Sequence, residues 1–259
     1  MNIKIFTDLL VKKGVLKGRE ERNLLLAEMT EEVAGLVLAD NFNQSWAITL
    51  DARRSASRYD EFVGLLEELV SRSVLDRDDD AIPSRTELGP ARHAGRGLPR
   101  PLLAVMLGQV KRWAYDLLLE STFPDAPEAA PFLAGYFPKR LQADFAAHLP
   151  EHTLRREIVA TVAVNHVVNN AGVSFLYRMM GESGAPIDAV VGAYVAVERQ
   201  SDAEVVRARV LASGLGAEAE AAALLELEEA LESMVESTLD GSPNATKDAL
   251  APVLARLSG

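Results

Sequence analysis

The chain contains no cysteine. That absence excludes disulfides, thiolate metal sites and cysteine nucleophiles together, and it fits a reducing cytoplasm. No apolar run approaches the roughly 20 residues that a membrane-spanning helix needs. The opening MNIKIFTDLL lacks the charged, apolar and small-residue regions of a signal peptide. Basic residues are in the minority: 27 Lys and Arg against 38 Asp and Glu give a net charge of −11 and a pI near 4.9. Such a balance offers no general basic face to nucleic acid or to an anionic membrane. Several chemical motifs are missing as well. Gly95-Arg96-Gly97 has neither the third glycine nor the preceding strand of a dinucleotide loop. No serine stands in a G-x-S-x-G elbow. The acid run Asp76, Asp78, Asp79, Asp80 lacks the glycine and closing glutamate of a calcium loop and reads as a solvated turn.

What is there is helical. The 259 residues, 48% hydrophobic and 25% charged, suffice for one large core or two small domains. Apolar residues recur at three and four, not at two. The fold class is therefore all-α, a multi-helical array of about thirteen helices with no substantial sheet. The spacing predicts spans near 3–13, 19–39, 43–56, 58–73, 84–94, 99–121, 128–134, 138–147, 151–169, 172–182, 186–198, 201–213, 217–239 and 244–257. Pro99, Pro101, Pro138 and Pro186 stand at helix starts, where a missing N–H costs nothing. Thr153 is placed to cap the 151–169 helix. Composition divides the chain into an N-terminal helical subdomain (18–74), an acidic, proline- and glycine-bearing linker (75–98), a central helical subdomain (99–200) and an Ala/Glu/Leu-rich tail (201–259).

Some polar residues interrupt the apolar pattern. His148 and His152 lie four apart, but Pro150 between them breaks the helix a metal pair would need, so they read as a helix end and a solvated loop histidine. Arg155 and Arg156 begin a helix and oppose its dipole, which calls for a compensating anion. That anion is either a ligand or interdomain carboxylate, or an Asp or Glu of a neighbouring helix. Asn165 and Asn169 share a face late in an apolar helix, with Gly172 supplying the turn after it. They serve a ligand, or they satisfy backbone groups of a neighbouring helix end. Trp46 and Trp113, with Phe42, Tyr115 and Phe123, read as core or interface anchors. The 151–169 helix, with Ile158, Val162 and Phe175 in its contact set, is expected to be the central element.

Residues 136–200 carry YFPKRL, HTLRREIVAT and VNHVVNNAGVSF in that order. They resemble the C-terminal region of the large bacterial NAD-specific glutamate dehydrogenases. NIKIFTDLLVKKGVL with ERNLLLAEMTEEVAGLVLADNFNQ (2–44), and GRGLPRPLLAVMLGQVKRWAYDLLLES (95–121), resemble the same family in the same order. The resemblance implies that residues 1–17 are the tail of the segment leaving the catalytic core. It implies a parent that oxidises L-glutamate with NAD in the cytoplasm and is a homo-oligomer. The catalytic domain of the same chain would be this region's partner. The family's glycine-rich nucleotide loop, catalytic lysine and aspartate, and substrate lysines are absent here. No catalytic, cofactor or metal residue is therefore assigned, and the chain alone is expected to be inactive. His166 stands where the family commonly has an acid, and Asn170 where it commonly has a base. The competing reading is a stand-alone α-helical interaction module.

Overall fold

The structure is a computed structural model of the chain and describes residues 1–242 and 247–256. Among the described residues there are fourteen α-helices and no strand. The first five are α1 (Asn2–Lys12), α2 (Arg19–Glu28), α3 (Thr30–Ser57), α4 (Tyr59–Ser71) and α5 (Arg85–His93). Then come α6 (Arg100–Glu120), α7 (Ala130–Tyr136), α8 (Lys139–Phe145), α9 (Arg155–Ala171) and α10 (Phe175–Ser183). The last four are α11 (Ile187–Ser201), α12 (Ala203–Leu211), α13 (Ala217–Leu239) and α14 (Ala251–Arg256). Short 3-10 turns occupy 123–125, 127–129, 146–151 and 247–250. The expected 244–257 helix falls partly outside the described residues.

Local chemistry sets the boundaries. Pro99 precedes α6 and Pro101 lies in its first turn, while Pro186 precedes α11. Ser84 and Glu87 form a reciprocal capping box at the head of α5, a S-x-x-E pattern present in the sequence. Gly184 ends α10 in the left-handed conformation. Two boundaries differ from expectation. The break foreseen at 40–42 is absent; it falls instead at Met29, and α3 runs unbroken from residue 30 to 57. Asp40 and Gln44, one turn apart, hydrogen-bond to each other at 2.8 Å, so these polar side chains stay within the helix rather than competing with its backbone. Thr153 is not a cap: α9 starts at Arg155, and its N-cap residue, Leu154, donates its own N–H to His152 Nδ1 at 3.0 Å.

α9 lies at the centre, against α3, α6, α7, α10, α11 and α13. Its buried positions Ala160, Ala163, Val164, Val167, Val168 and Ala171 follow the three-and-four spacing, and their small size admits close neighbours on several sides. Ile158 and Phe175 are buried with them; Val162 is only partly so. Segment 75–98 buries Leu75, Ile82, Leu88 and Leu98, and Tyr59 donates its hydroxyl to Leu88 O at 2.6 Å. Among the described residues no single helix is long and apolar enough to cross a membrane. α9 and α10 pass together but are bent by 92° at their junction.

Candidate functional site

That junction is built by a helix far away in sequence. Asp51 and Arg54 lie three apart on α3, so they share a face, and both are buried. Arg54 Nη1 donates to Asp51 Oδ1 at 3.0 Å, and Arg54 Nη2 donates to the Asn170 carbonyl at 2.9 Å. The Val173 N–H donates to Asp51 Oδ2 at 3.1 Å. The guanidinium thus meets the carbonyl end of α9, and the carboxylate meets an amide of the chain leaving it; each charge faces the dipole end that favours it. Burial pushes the Asp51 carboxyl above its ordinary range, against the pull of Arg54 and of the Val173 amide. Burial would lower Arg54, but Asp51, Glu228 and Glu232 outweigh it and keep the guanidinium charged.

Gly172 is the residue this latch encloses. Its φ of +95° belongs to glycine, and an added Cβ would lie 2.5 Å from Asp51 Oδ1 and 2.6 Å from Arg54 Nη1. Gly172→Ala is expected to cost about 1–3 kcal/mol from backbone strain alone, with displacement of the ion pair adding to it. Urea denaturation of chain and variant measures this; an unchanged midpoint would show that the turn can relax.

A second polar cluster joins α9, α11, α12 and α13. His166 Nε2 and Glu198 Oε2 are 2.5 Å apart, and Arg207 Nη1 donates to Glu198 Oε1 at 2.8 Å. Arg207 Nη2 donates to Glu228 Oε1 at 2.6 Å, and the Tyr194 hydroxyl donates to Glu228 Oε2 at 2.9 Å. Burial, then the adjacent Glu228, push the Tyr194 phenol well above its ordinary value, so it is a neutral donor. Burial would lower Arg207, but Glu228, Tyr194 and Glu198 raise it. A cleft of about 460 Å³ opens beside His166 and Glu198, walled by Glu128, Phe132, Val162 and Val205. A hollow of about 40 Å³ lies by Arg207 and Glu228, next to Trp46 and Asn169. All four carboxylate oxygens of this cluster are engaged by groups of the chain itself. The arrangement ties the four helices together.

For Glu198, burial raises the carboxyl, but the hydrogen bond and charge of His166 and the charge of Arg207 outweigh it and bring it down to about 2. A depressed carboxylate stabilises the fold above its unfolded value, 4.5, and loses that contribution as pH falls towards 2. The contribution is on the order of 3 kcal/mol. The advantage of the chain over Glu198→Gln is therefore expected to be full at neutral pH, to shrink as pH falls below 4.5 and to be nearly gone only at about pH 2, as thermal unfolding across pH would show. A constant gap would contradict it.

The residues singled out from sequence are dispersed. Arg155 Nη2 reaches Asp125 Oδ1 at 2.5 Å, and Arg156 pairs with the other oxygen of Asp125. Arg156 also donates to the carbonyls of Leu119 at 2.7 Å and Ser121 at 3.0 Å. The two arginines grip the carbonyl end of α6 and the acidic turn after it, which compensates their place at the head of α9. Asn165 is half-buried and makes no side-chain hydrogen bond among the described residues. Asn169 Oδ1 is enclosed in the small hollow without a partner among the described residues. His152 is not solvated: it is buried against Phe6 and Phe137, accepts from Leu154 N–H at Nδ1, and so donates from Nε2 to Asn2 O at 3.1 Å. Asp51, Arg54, Glu198, Arg207 and Glu228 went unnoticed in the sequence. The one available signal was Glu228 and Glu232 inside the apolar stripe Leu224, Leu227, Leu231, Val235.

Comparison with known proteins places these clusters in a family. The family described as "Glutamate dehydrogenase, C-terminal" matches residues 95–247. "Bacterial NAD-glutamate dehydrogenase, catalytic domain" matches residues 1–51. The NAD-specific glutamate dehydrogenase of Mycobacterium tuberculosis is 38% identical over 199 residues, 76% of this chain and 12% of its own length. That of Pseudomonas aeruginosa is 36% identical over 197 residues, with the same 76% and 12% coverage. That of Halomonas elongata is 35% identical over 195 residues, 75% of this chain and 12% of its own. The chain thus spans about an eighth of the length of these curated relatives. With more than half its residues matched, and with the α9–α10 core inside that match, the chain belongs to the glutamate dehydrogenase C-terminal family.

Proposed function

We propose that this chain is the non-catalytic helical C-terminal region of a cytoplasmic NAD-specific glutamate dehydrogenase, and that it braces the catalytic lobes of that enzyme and its subunit contacts. The parent reaction is L-glutamate + NAD⁺ + H₂O → 2-oxoglutarate + NH₄⁺ + NADH + H⁺, with NAD held by the parent's nucleotide domain. The observation that carries the reading is α3. It lies in the catalytic-domain match as far as Asp51, and it delivers Asp51 and Arg54 to the α9–α10 turn inside the C-terminal match. A continuous helix with a buried ion pair at its far end transmits position stiffly between two regions. The buried polar clusters satisfy each other, which suits bracing rather than turnover.

Two measurements test this. The purified chain is expected to form no NADH from glutamate and NAD, and glutamate-dependent NADH above a mock preparation would overturn the non-catalytic reading. Co-expressed with the catalytic region of the Mycobacterium tuberculosis relative, that is, the part preceding the matched segment, it is expected to co-purify with that region. Failure to associate with a folded, NAD-binding catalytic region would overturn the bracing reading.

A further inference from the structure

Residues 34–45 of α3 are mostly exposed. All are exposed except Asp40 and Gln44, which are half-buried. Yet the stretch reads AGLVLADNFNQS, with Asp40 its single charge. Leu36 is 42% exposed, Val37 55%, Leu38 68% and Phe42 53%. Successive helical residues point about 100° apart, so Leu36, Val37 and Leu38 face three directions. A flat partner covers one such face. The turn 36–39 (Leu-Val-Leu-Ala) is apolar all round, and such a turn needs enclosure, as in the core of a larger domain.

Resting on the function proposed above, we infer that residues 34–45 of α3 are the surface on which the catalytic lobe of glutamate dehydrogenase seats, and that the lobe wraps this stretch on most of its sides. The commitment to that occupant comes from the sequence match. The stretch lies inside residues 1–51, which match the bacterial catalytic-domain family. Nearby on α6, Lys111 Nζ is enclosed without a hydrogen-bond partner among the described residues. Burial lowers its pKa to about 8, with Asp40 of the same stretch opposing.

The test uses the whole chain and the catalytic region of the Mycobacterium tuberculosis relative, checked to be folded by its binding of NAD. Affinity is measured by calorimetry for the chain, for Leu38→Asp with Phe42→Asp together, and for Leu215→Asp, another exposed apolar position outside the stretch. The double variant replaces exposed side chains, so its circular dichroism and thermal midpoint should match those of the chain. It is expected to bind the catalytic region about 30-fold more weakly or worse, with Leu215→Asp unchanged. Unweakened binding by the double variant would overturn the docking surface and leave the bracing function standing. Weakening by Leu215→Asp of equal size would overturn it too, since the effect would then not belong to α3. Absence of binding by the unmodified chain would overturn the function and this inference together. If the chain dimerises in sedimentation, the double variant abolishes the dimer, and its binding to the catalytic region is unchanged, the occupant is a second copy and the inference fails.

Discussion

Replacing Arg54 by methionine is expected to lower the stability of the chain by about 3–5 kcal/mol. The side chains of Arg54 and Asp51 are 3% and 1% exposed, so water cannot take over the lost contacts. The variant leaves the Asp51 carboxylate buried with no counter-charge beside it and the Asn170 carbonyl without its guanidinium donor. Each is costly because a low-dielectric interior offers no replacement partner. Against a typical net stability of about 5–15 kcal/mol for a domain, the loss is large. Equilibrium urea unfolding measures it. Asp51→Leu with Arg54→Met should recover a good part of the loss, since two apolar groups leave no charge stranded. A single-variant loss below about 1 kcal/mol would place it in the range of a solvated surface pair and would refute the latch.

Replacing Arg207 by leucine is expected to cost a similar amount, about 3–5 kcal/mol at pH 7. Arg207 is the cation between two buried acids, contacting Glu198 at 2.8 Å and Glu228 at 2.6 Å. Without it, two carboxylates share an enclosed site with only His166 and the Tyr194 hydroxyl as donors. Like charges and burial both favour protonation of one of them. The folded variant therefore holds a proton at pH values where the unfolded chain has lost it, and its deficit should shrink as pH falls from 7 towards the unfolded carboxyl value of 4.5. Thermal unfolding of chain and variant at pH 7 and pH 4.5 checks both parts. A deficit independent of pH would mean that lost packing, not stranded charge, is what the variant reports.

Neither network is written along the chain as a local pattern. Periodicity was enough for the all-α class, for α6 and α13 almost to the residue, and for Gly172 as the turn after α9, because each depends on neighbours within one or two helical turns. The clustered motifs of 136–200 were enough for the family, since they survive as local text. The same reasoning misplaced the helix break at 40–42. Asp40, Asn41 and Asn43 look like turn residues, and the Asp40–Gln44 bond that keeps them helical is not visible as a pattern.

What the sequence determined by itself was the all-α class, most of the helices and the kinship with glutamate dehydrogenases. What only the tertiary structure decided was which polar residues are buried and with whom. Asp51 and Val173 are 122 positions apart, and Tyr194 and Glu228 are 34 apart. Nothing in the sequence sets Asp51 and Arg54 apart from other charged helix residues, and Asn165 looks the better candidate for a buried contact. The reason is physical. Helix formation is governed by short-range spacing, which is written along the chain. The worth of a charge is governed by its distance from water and from its partner, and both exist only once distant helices have packed.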